Sequence, residues 1–174
     1  MKKLMIALMA SSLGLCSTAV LSQAQVEINW QSPEKYRDVR PTMQSRVKFR
    51  EHTFEQLHEY IEELAAQLPD DQKLLLNVTD LDLAGQVWPA SFVGFGHSSS
   101  DVRVVKHVDI PRMSFSYKLV NTAGDLIQQG DVDLKDMGFM DRANRFFGSE
   151  NLRYEKNMLK SWFNDEFPQL IVKN

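Results

Sequence analysis

Asp80 and Asp82 stand two residues apart in the run LNVTDLDLAG. On a strand, that spacing puts both carboxylates on one face, roughly 7 Å apart. Oxygen ligands so placed suit a hard divalent cation or a general acid/base pair. The same spacing also suits the solvated face of a strand, or a cap on the turn at Gly85. Catalysis by two carboxylates needs surroundings that drive their pKa values apart, and spacing alone does not supply them.

A second group comprises His97, Asp101, His107 and Asp109. Zinc takes three or four such ligands, oriented by a second layer of hydrogen bonds. His97 and His107 match no recognised ligand spacing, whereas His107 and Asp109 share parity if they lie on a strand and could then meet on one face. A metal site built from this sequence would therefore draw on Asp80, Asp82, His107 and Asp109. No cofactor is expected beyond such a divalent cation. His52 and His58 fall beside or on the wet side of a helix and read as solvated.

The third group is aromatic. Residues 84–100 read as a long loop carrying Trp88, Phe92 and Phe95 beside Gly85, Gly94 and Gly96. Loops on a rigid scaffold often bind, and aromatic rings make good anchors. Alternatively the rings fold back over the core, each burial contributing about 2–3 kcal/mol. Nucleophile elbows, metalloprotease helices and phosphate-binding glycine loops are not present as motifs; Gly94-Phe95-Gly96 precedes no helical pattern and so is not a phosphate loop.

The elements that must position these groups follow from periodicity. Val26, Ile28 and Trp30 alternate with polar residues as a half-buried strand that ends at Pro33. Residues 34–52 are dense in charge and read as loop with helical turns that Met43 and Val47 could begin. Phe54, Leu57, Ile61, Leu64, Ala65 and Leu68 then form one helical stripe, with Thr53 at the N-cap and Gln56 three residues on. Leu74, Leu76 and Val78 alternate as a strand, but Leu81 and Leu83 carry the opposite parity. A bulge at Thr79-Asp80 resolves the conflict and aims both aspartates to one side. Val102 and Val104 alternate about Arg103, and Met113, Phe115, Tyr117 and Leu119 form a further strand. A turn at residues 121–125 leads into its partner over residues 126–133. Residues 136–147 are irregular. A last helix, predicted over residues 149–167, is capped by Ser149, lined by Leu152, Leu159, Trp162 and Phe163, and stopped by Pro168.

Lys2, Lys3, an uncharged apolar stretch over residues 4–21 and Ser22-Gln23-Ala24 have the pattern of a secretory signal cleaved after Ala24. This predicts a periplasmic protein with no membrane span after cleavage. Leu15 before Cys16 argues against a lipoprotein. Cleavage would leave residues 25–174 as a single domain. It also removes Lys2 and Lys3 from the 20 basic residues, leaving 18 against 23 acidic ones and a net charge of −5. Such a surface has no electrostatic reason to seek nucleic acid. Cys16 leaves with the signal, so disulfides and thiol catalysis are excluded from the remainder.

In VTDLDLAG, PRMSFSYKL and YEKNMLKSWF the chain resembles a bacterial family of exported proteins catalogued as domain of unknown function 3016. The likeness runs from Val26 to Phe167. It implies an exported single domain and assigns no catalytic or ligand residues. The reading as a whole is an α+β protein in which two amphipathic helices pack on one face of a mostly antiparallel sheet. Functionally, it predicts a non-catalytic envelope protein that binds a partner or small ligand through residues 85–100. The alternatives are a cation-dependent hydrolase or metal-binding protein using Asp80 and Asp82, and a purely structural protein.

Overall fold

The computed structural model describes residues 24–43, 45–94, 101–141 and 150–170. The signal pattern, apart from Ala24, lies outside these residues, as do Phe95, His97 and Ser149. Strand β1 (Gln25–Trp30) leads through a short helical turn into helix α1 (Arg46–Ala65), then β2 (Gln72–Asp82) and β3 (Gln86–Pro89). After a turn at Ala90–Val93 come β4 (Asp101–Val104), β5 (Arg112–Asn121), β6 (Leu126–Lys135) and helix α2 (Arg153–Glu166). The main sheet has the order β1-β2-β5-β6, and β3 and β4 form a separate two-stranded arm. Within the main sheet β1 runs parallel to β2 while the other two pairs are antiparallel. A parallel pair needs a crossover, and α1 supplies it.

Alternation decides which side of the sheet is dry. Leu74, Leu76, Val78 and Leu81 of β2 share one face with Met113, Phe115, Tyr117 and Leu119 of β5, and all are buried. Both helices cover this face. From α1 come Leu57, Tyr60, Ile61 and Leu64; from α2 come Met158, Leu159, Trp162 and Phe163. Trp162 meets Phe115 edge-on at 4.8 Å between centroids, and Trp30 stacks on Phe54 at 4.0 Å. Such pairs add about 0.5–1.5 kcal/mol beyond their burial. The opposite face is polar and joined by short pairs, including Asn29 to Asn77 (2.7 Å) and Ser114 to Asp133 (2.9 Å). The α+β architecture with helices on one face is as the sequence predicts.

The bulge is also present. Val78 faces Phe115 and Asp80 faces Ser114, so Thr79 is the extra residue; its hydroxyl donates to the Ser114 carbonyl at 3.1 Å. The turn between β5 and β6 closes by Gly124 N–H to the Asn121 carbonyl, with Gly124 at φ 87°.

Four expectations need correction. Helix α1 begins at Arg46, and Thr53 lies inside it, where the buried hydroxyl donates to the Phe49 carbonyl at 2.8 Å. Phe49, Thr53 and Leu57 continue the apolar stripe backwards, but the surrounding charges hide it. Helix α2 begins at Arg153 after a left-handed Leu152 (φ 58°). The stretch read as a loop from residue 84 contains β3, whose four residues are too few to show alternation. His107 and Asp109 do not share a strand face, because residues 107–109 form a turn closed by Asp109 N–H to the Lys106 carbonyl.

The step from β2 into the arm is made at Gly85, with φ 78°. A Cβ there would lie 2.6 Å from the Val104 carbonyl oxygen and 2.9 Å from a Val105 methyl. Gly85→Ala should therefore cost about 2–4 kcal/mol, combining left-handed strain with the clash. Gly124→Ala has open space around its Cβ and should cost only about 1–2 kcal/mol. Urea denaturation of the two variants measures the difference, and equal losses would show that the contact with Val104 carries no strain.

Candidate functional site

Between the bulged end of β2 and the start of β3 the chain turns through Leu83, Ala84 and Gly85, all buried. Backbone polar groups in such a turn must find partners. Two side chains from elsewhere provide them. Glu155, in the first turn of α2 and only 3% exposed, accepts the Ala84 N–H at 2.7 Å. Arg103 of β4 donates through Nη1 to the carbonyls of Ala84 (3.2 Å) and Gly85 (3.0 Å). Through Nη2 it donates to the carbonyls of Asp38 (2.7 Å) and Arg40 (2.9 Å). One guanidinium thus joins the segment after β1, the turn after β2 and its own strand. Asp38 contributes its carbonyl from a left-handed conformation, φ 49°.

The electrostatics follow from burial. Burial pushes the Glu155 carboxyl up from its ordinary value, while the Ala84 N–H and the Arg103 charge oppose the shift. Burial pushes the Arg103 guanidinium down, and Glu155, Asp38 and Asp82 pull it back. A guanidinium starts so far above neutrality that it stays charged. Perturbed groups of this kind gather at functional sites, although structural networks produce them too.

Two clefts flank the turn. The larger, about 500 Å³, opens between α1 and the start of α2, with Phe49, Thr53, Ala84, Arg103, Tyr154 and Glu155 in its walls. The smaller, about 300 Å³, is lined by Arg37, Asp38, Asp80, Asp82, Asp109 and Arg112. Its floor is tied to the turn by Gly85 N–H donating to the Asp109 carbonyl at 3.0 Å. Burial pushes the Asp82 carboxyl up, reinforced by Asp38 and Asp80 and opposed by Arg112 and Arg37. Asp80 is exposed. The bulge thus places the two aspartates in one cleft but in unequal surroundings.

Of the predicted residues, Asp80, Asp82 and Asp109 come together. His107 does not join them in that lining. Its Nδ1 lies 3.8 Å from Asp141 Oδ1, and both side chains are largely exposed. Among the described residues, no group of three or more His, Cys, Asp or Glu side chains is arranged to hold a metal ion. Trp88 on β3 is half-buried, lies under Lys106 (Nζ 4.8 Å from the ring centre), and does not join the main core. Its Nε1 is shielded from solvent and has no partner. Phe92, on the turn at Ala90–Val93, is 77% exposed. Neither ring of this pair caps the core.

Sequence reasoning missed Glu155 and Arg103. A signal existed for the first: Glu155, Leu159 and Trp162 fall at i, i+4 and i+7, the inner stripe of α2. For Arg103, alternation with two valines reads as a wet position, and only the folded chain shows carbonyls there.

Residues 24–165 match the sequence profile of the family DUF3016, described as a protein of unknown function, and the chain belongs to that family. No curated protein and no solved structure matches it. Among the described residues no helix is long and apolar enough to cross a membrane.

Arg103→Lys keeps the charge but cannot reach four carbonyls, so stability should fall by about 3 kcal/mol or more. Glu155 gives a pH signature. Its folded pKa is raised above the ordinary 4.5, so between those values the folded state holds more protons. Its contribution is therefore present at low pH and is lost as pH rises through the folded pKa. Glu155→Gln keeps an acceptor for Ala84 and cannot ionise. Relative to the native protein, that variant should gain stability as pH rises from the ordinary carboxyl value through the raised folded pKa. Urea midpoints across that range measure the trend, and the reverse trend would mean that Arg103 holds Glu155 as a stabilised anion.

Proposed function

We propose that this DUF3016 member is a non-catalytic, exported binding protein that presents the β3–β4 arm to a partner in the cell envelope. The observation that carries this reading is Phe92, 77% exposed at the tip of an arm whose base is fixed by Arg103 and Gly85. A large ring held in water on a rigid support is what an anchor residue requires. Trp88, on β3 of the same arm, has an indole N–H that is shielded from solvent and has no partner. The N-terminal Lys2, Lys3 and apolar run support delivery to the periplasm.

A second reading keeps the two aspartates as the centre of a metal-binding protein or cation-dependent hydrolase. Its support is the bulge, which sets Asp80 and Asp82 beside Asp109 in one cleft. Arg37 and Arg112 in the same lining work against it, since each repels a cation.

The two readings separate cleanly. Phe92→Ala should melt within a degree or so of the native protein, because so exposed a ring contributes little burial. A photoreactive residue at position 92 should form a discrete adduct with an envelope protein in living cells. Absence of any adduct, or a large drop in the Phe92→Ala melting midpoint, would count against the arm. For the second reading, chelator-treated protein is melted with calcium, magnesium, manganese and zinc added singly. Selective binding at a hundredfold excess over Kd stabilises by about 2.7 kcal/mol, and Asp80→Asn should abolish that gain. No shift with any ion would retire it.

A further inference from the structure

The smaller cleft carries charges of both signs that the protein leaves open. Arg37 and Arg112 line it together with Asp38, Asp80, Asp82 and Asp109. Asp82 lies within the field of both arginines, and it faces Arg112 across the β2–β5 ladder. Yet among the described residues neither arginine side chain closes an ion pair or a hydrogen bond with any of the four aspartates. Asp109 adds a separate observation: its Oδ2 is shielded from solvent and has no hydrogen-bond partner. A desolvated acceptor without a donor is disfavoured unless something supplies one.

We propose that this cleft binds a free α-amino acid, its ammonium group taken by Asp82 and Asp109 and its carboxylate by Arg37 and Arg112. Size fits the class, because about 300 Å³ lies at the small end of the range for small-molecule sites. Charge selects within it. A bare divalent cation would meet two arginines, and a bare anion would meet four aspartates, whereas a zwitterion answers both. Planar guanidinium groups grip a carboxylate through paired N–H donors. The ammonium group brings three donors, enough to serve the Asp82 and Asp109 carboxylates together. The walls add little apolar surface beyond Leu83, Val108 and Ile110. Val108 is 79% exposed, leaving room at the rim for the amino acid's own side chain. Rigidity comes from the turns: the Asp38 carbonyl is held by Arg103, and the Asp109 carbonyl by the Gly85 N–H. This inference does not depend on Phe92 or on the arm acting as an anchor.

The test is a thermal melt and calorimetric titration of the purified protein with each common amino acid, in both enantiomers. Each is accompanied by its N-acetyl and methyl-ester forms. The expected result is at least one free amino acid that raises the midpoint and binds saturably. Its two blocked forms, which lack one charge each, should bind at least tenfold more weakly. Arg112→Gln changes an exposed side chain and should leave the unliganded midpoint unchanged while weakening binding at least tenfold. Asp82→Asn should likewise weaken binding at least tenfold on the ammonium side, and Arg112→Gln alone decides the matter if that variant does not fold. The proposal is overturned if no amino acid raises the midpoint, or if blocked forms bind as well as free ones. It is equally overturned if Arg112→Gln retains full affinity, or if only a divalent cation shifts the melt.

Discussion

The Arg103 guanidinium is the contact on which the rest of this structure hangs. Taking a charge out of water is costly, and only well-placed partners offset the cost. Here the partners are backbone carbonyls of Asp38, Arg40, Ala84 and Gly85, with Glu155 supplying the opposing charge nearby. None of those four carbonyls belongs to a helix or to a sheet ladder. Without the guanidinium, the segment after β1 and the turn after β2 would each have unanswered acceptors in a partly dry place. With it, two pieces of irregular chain and strand β4 become one fixed unit. Arg37 and Asp38 sit on the first piece, Asp80 and Asp82 just before the second, and Asp109 is bonded to Gly85. The smaller cleft therefore inherits its shape from a residue that is absent from its lining.

That dependence explains where sequence was informative and where it was silent. The bulge was legible because a change of parity between Val78 and Leu81 leaves only two outcomes, and burial on one face selects between them. The hairpin after β5 was legible from an asparagine and a glycine at the right separation. The start of α1 was not, because its first turns carry Arg46, Lys48, Arg50 and Glu51, whose charges drown a stripe of only Phe49 and Thr53. Strand β3 was lost for a different reason: four residues ending in Pro89 carry too short a pattern to read. Arg103 and Glu155 lie beyond such reasoning. Periodicity says which face a residue occupies, but it cannot say that a turn distant in sequence will bring carbonyls to that face. Glu155 on the inner stripe of α2 was a visible anomaly whose meaning needed Ala84 beside it.

The two faces of the sheet divide labour. The covered face holds the aromatic cluster of Phe115, Tyr117, Trp162 and Phe167, with Tyr117, Gln128 and Glu166 sharing hydrogen bonds at its edge. Burial and the Glu166 contact push the Tyr117 hydroxyl up to about 12, so this network stays neutral at the tyrosine across ordinary pH. The open face is polar and needs no cover. What remains is the end of the sheet where β1 and β2, running parallel, both finish. Ligands in sheets with parallel strands tend to lie outside the carboxyl ends of those strands. Arg37 and Asp38 follow one such end, and Asp80 and Asp82 form the other. The likeness is one of local geometry, and it implies no particular chemistry.

The turn at Leu83 to Gly85 also makes the two clefts aware of each other. Asp82 lines the smaller one, yet its charge acts on both Arg103 and Glu155, which line the larger. The sign of that coupling is fixed. A negative Asp82 discourages Glu155 from ionising, and a positive group placed against Asp82 relieves that pressure. Any occupant of the smaller cleft that neutralises Asp82 therefore eases the ionisation of Glu155. By reciprocity, the charge state of Glu155 must alter how well the occupant is held. No moving part is required for this exchange. Two carboxylates whose charges both act on one half-buried guanidinium, tied to the same turn, are sufficient to carry it.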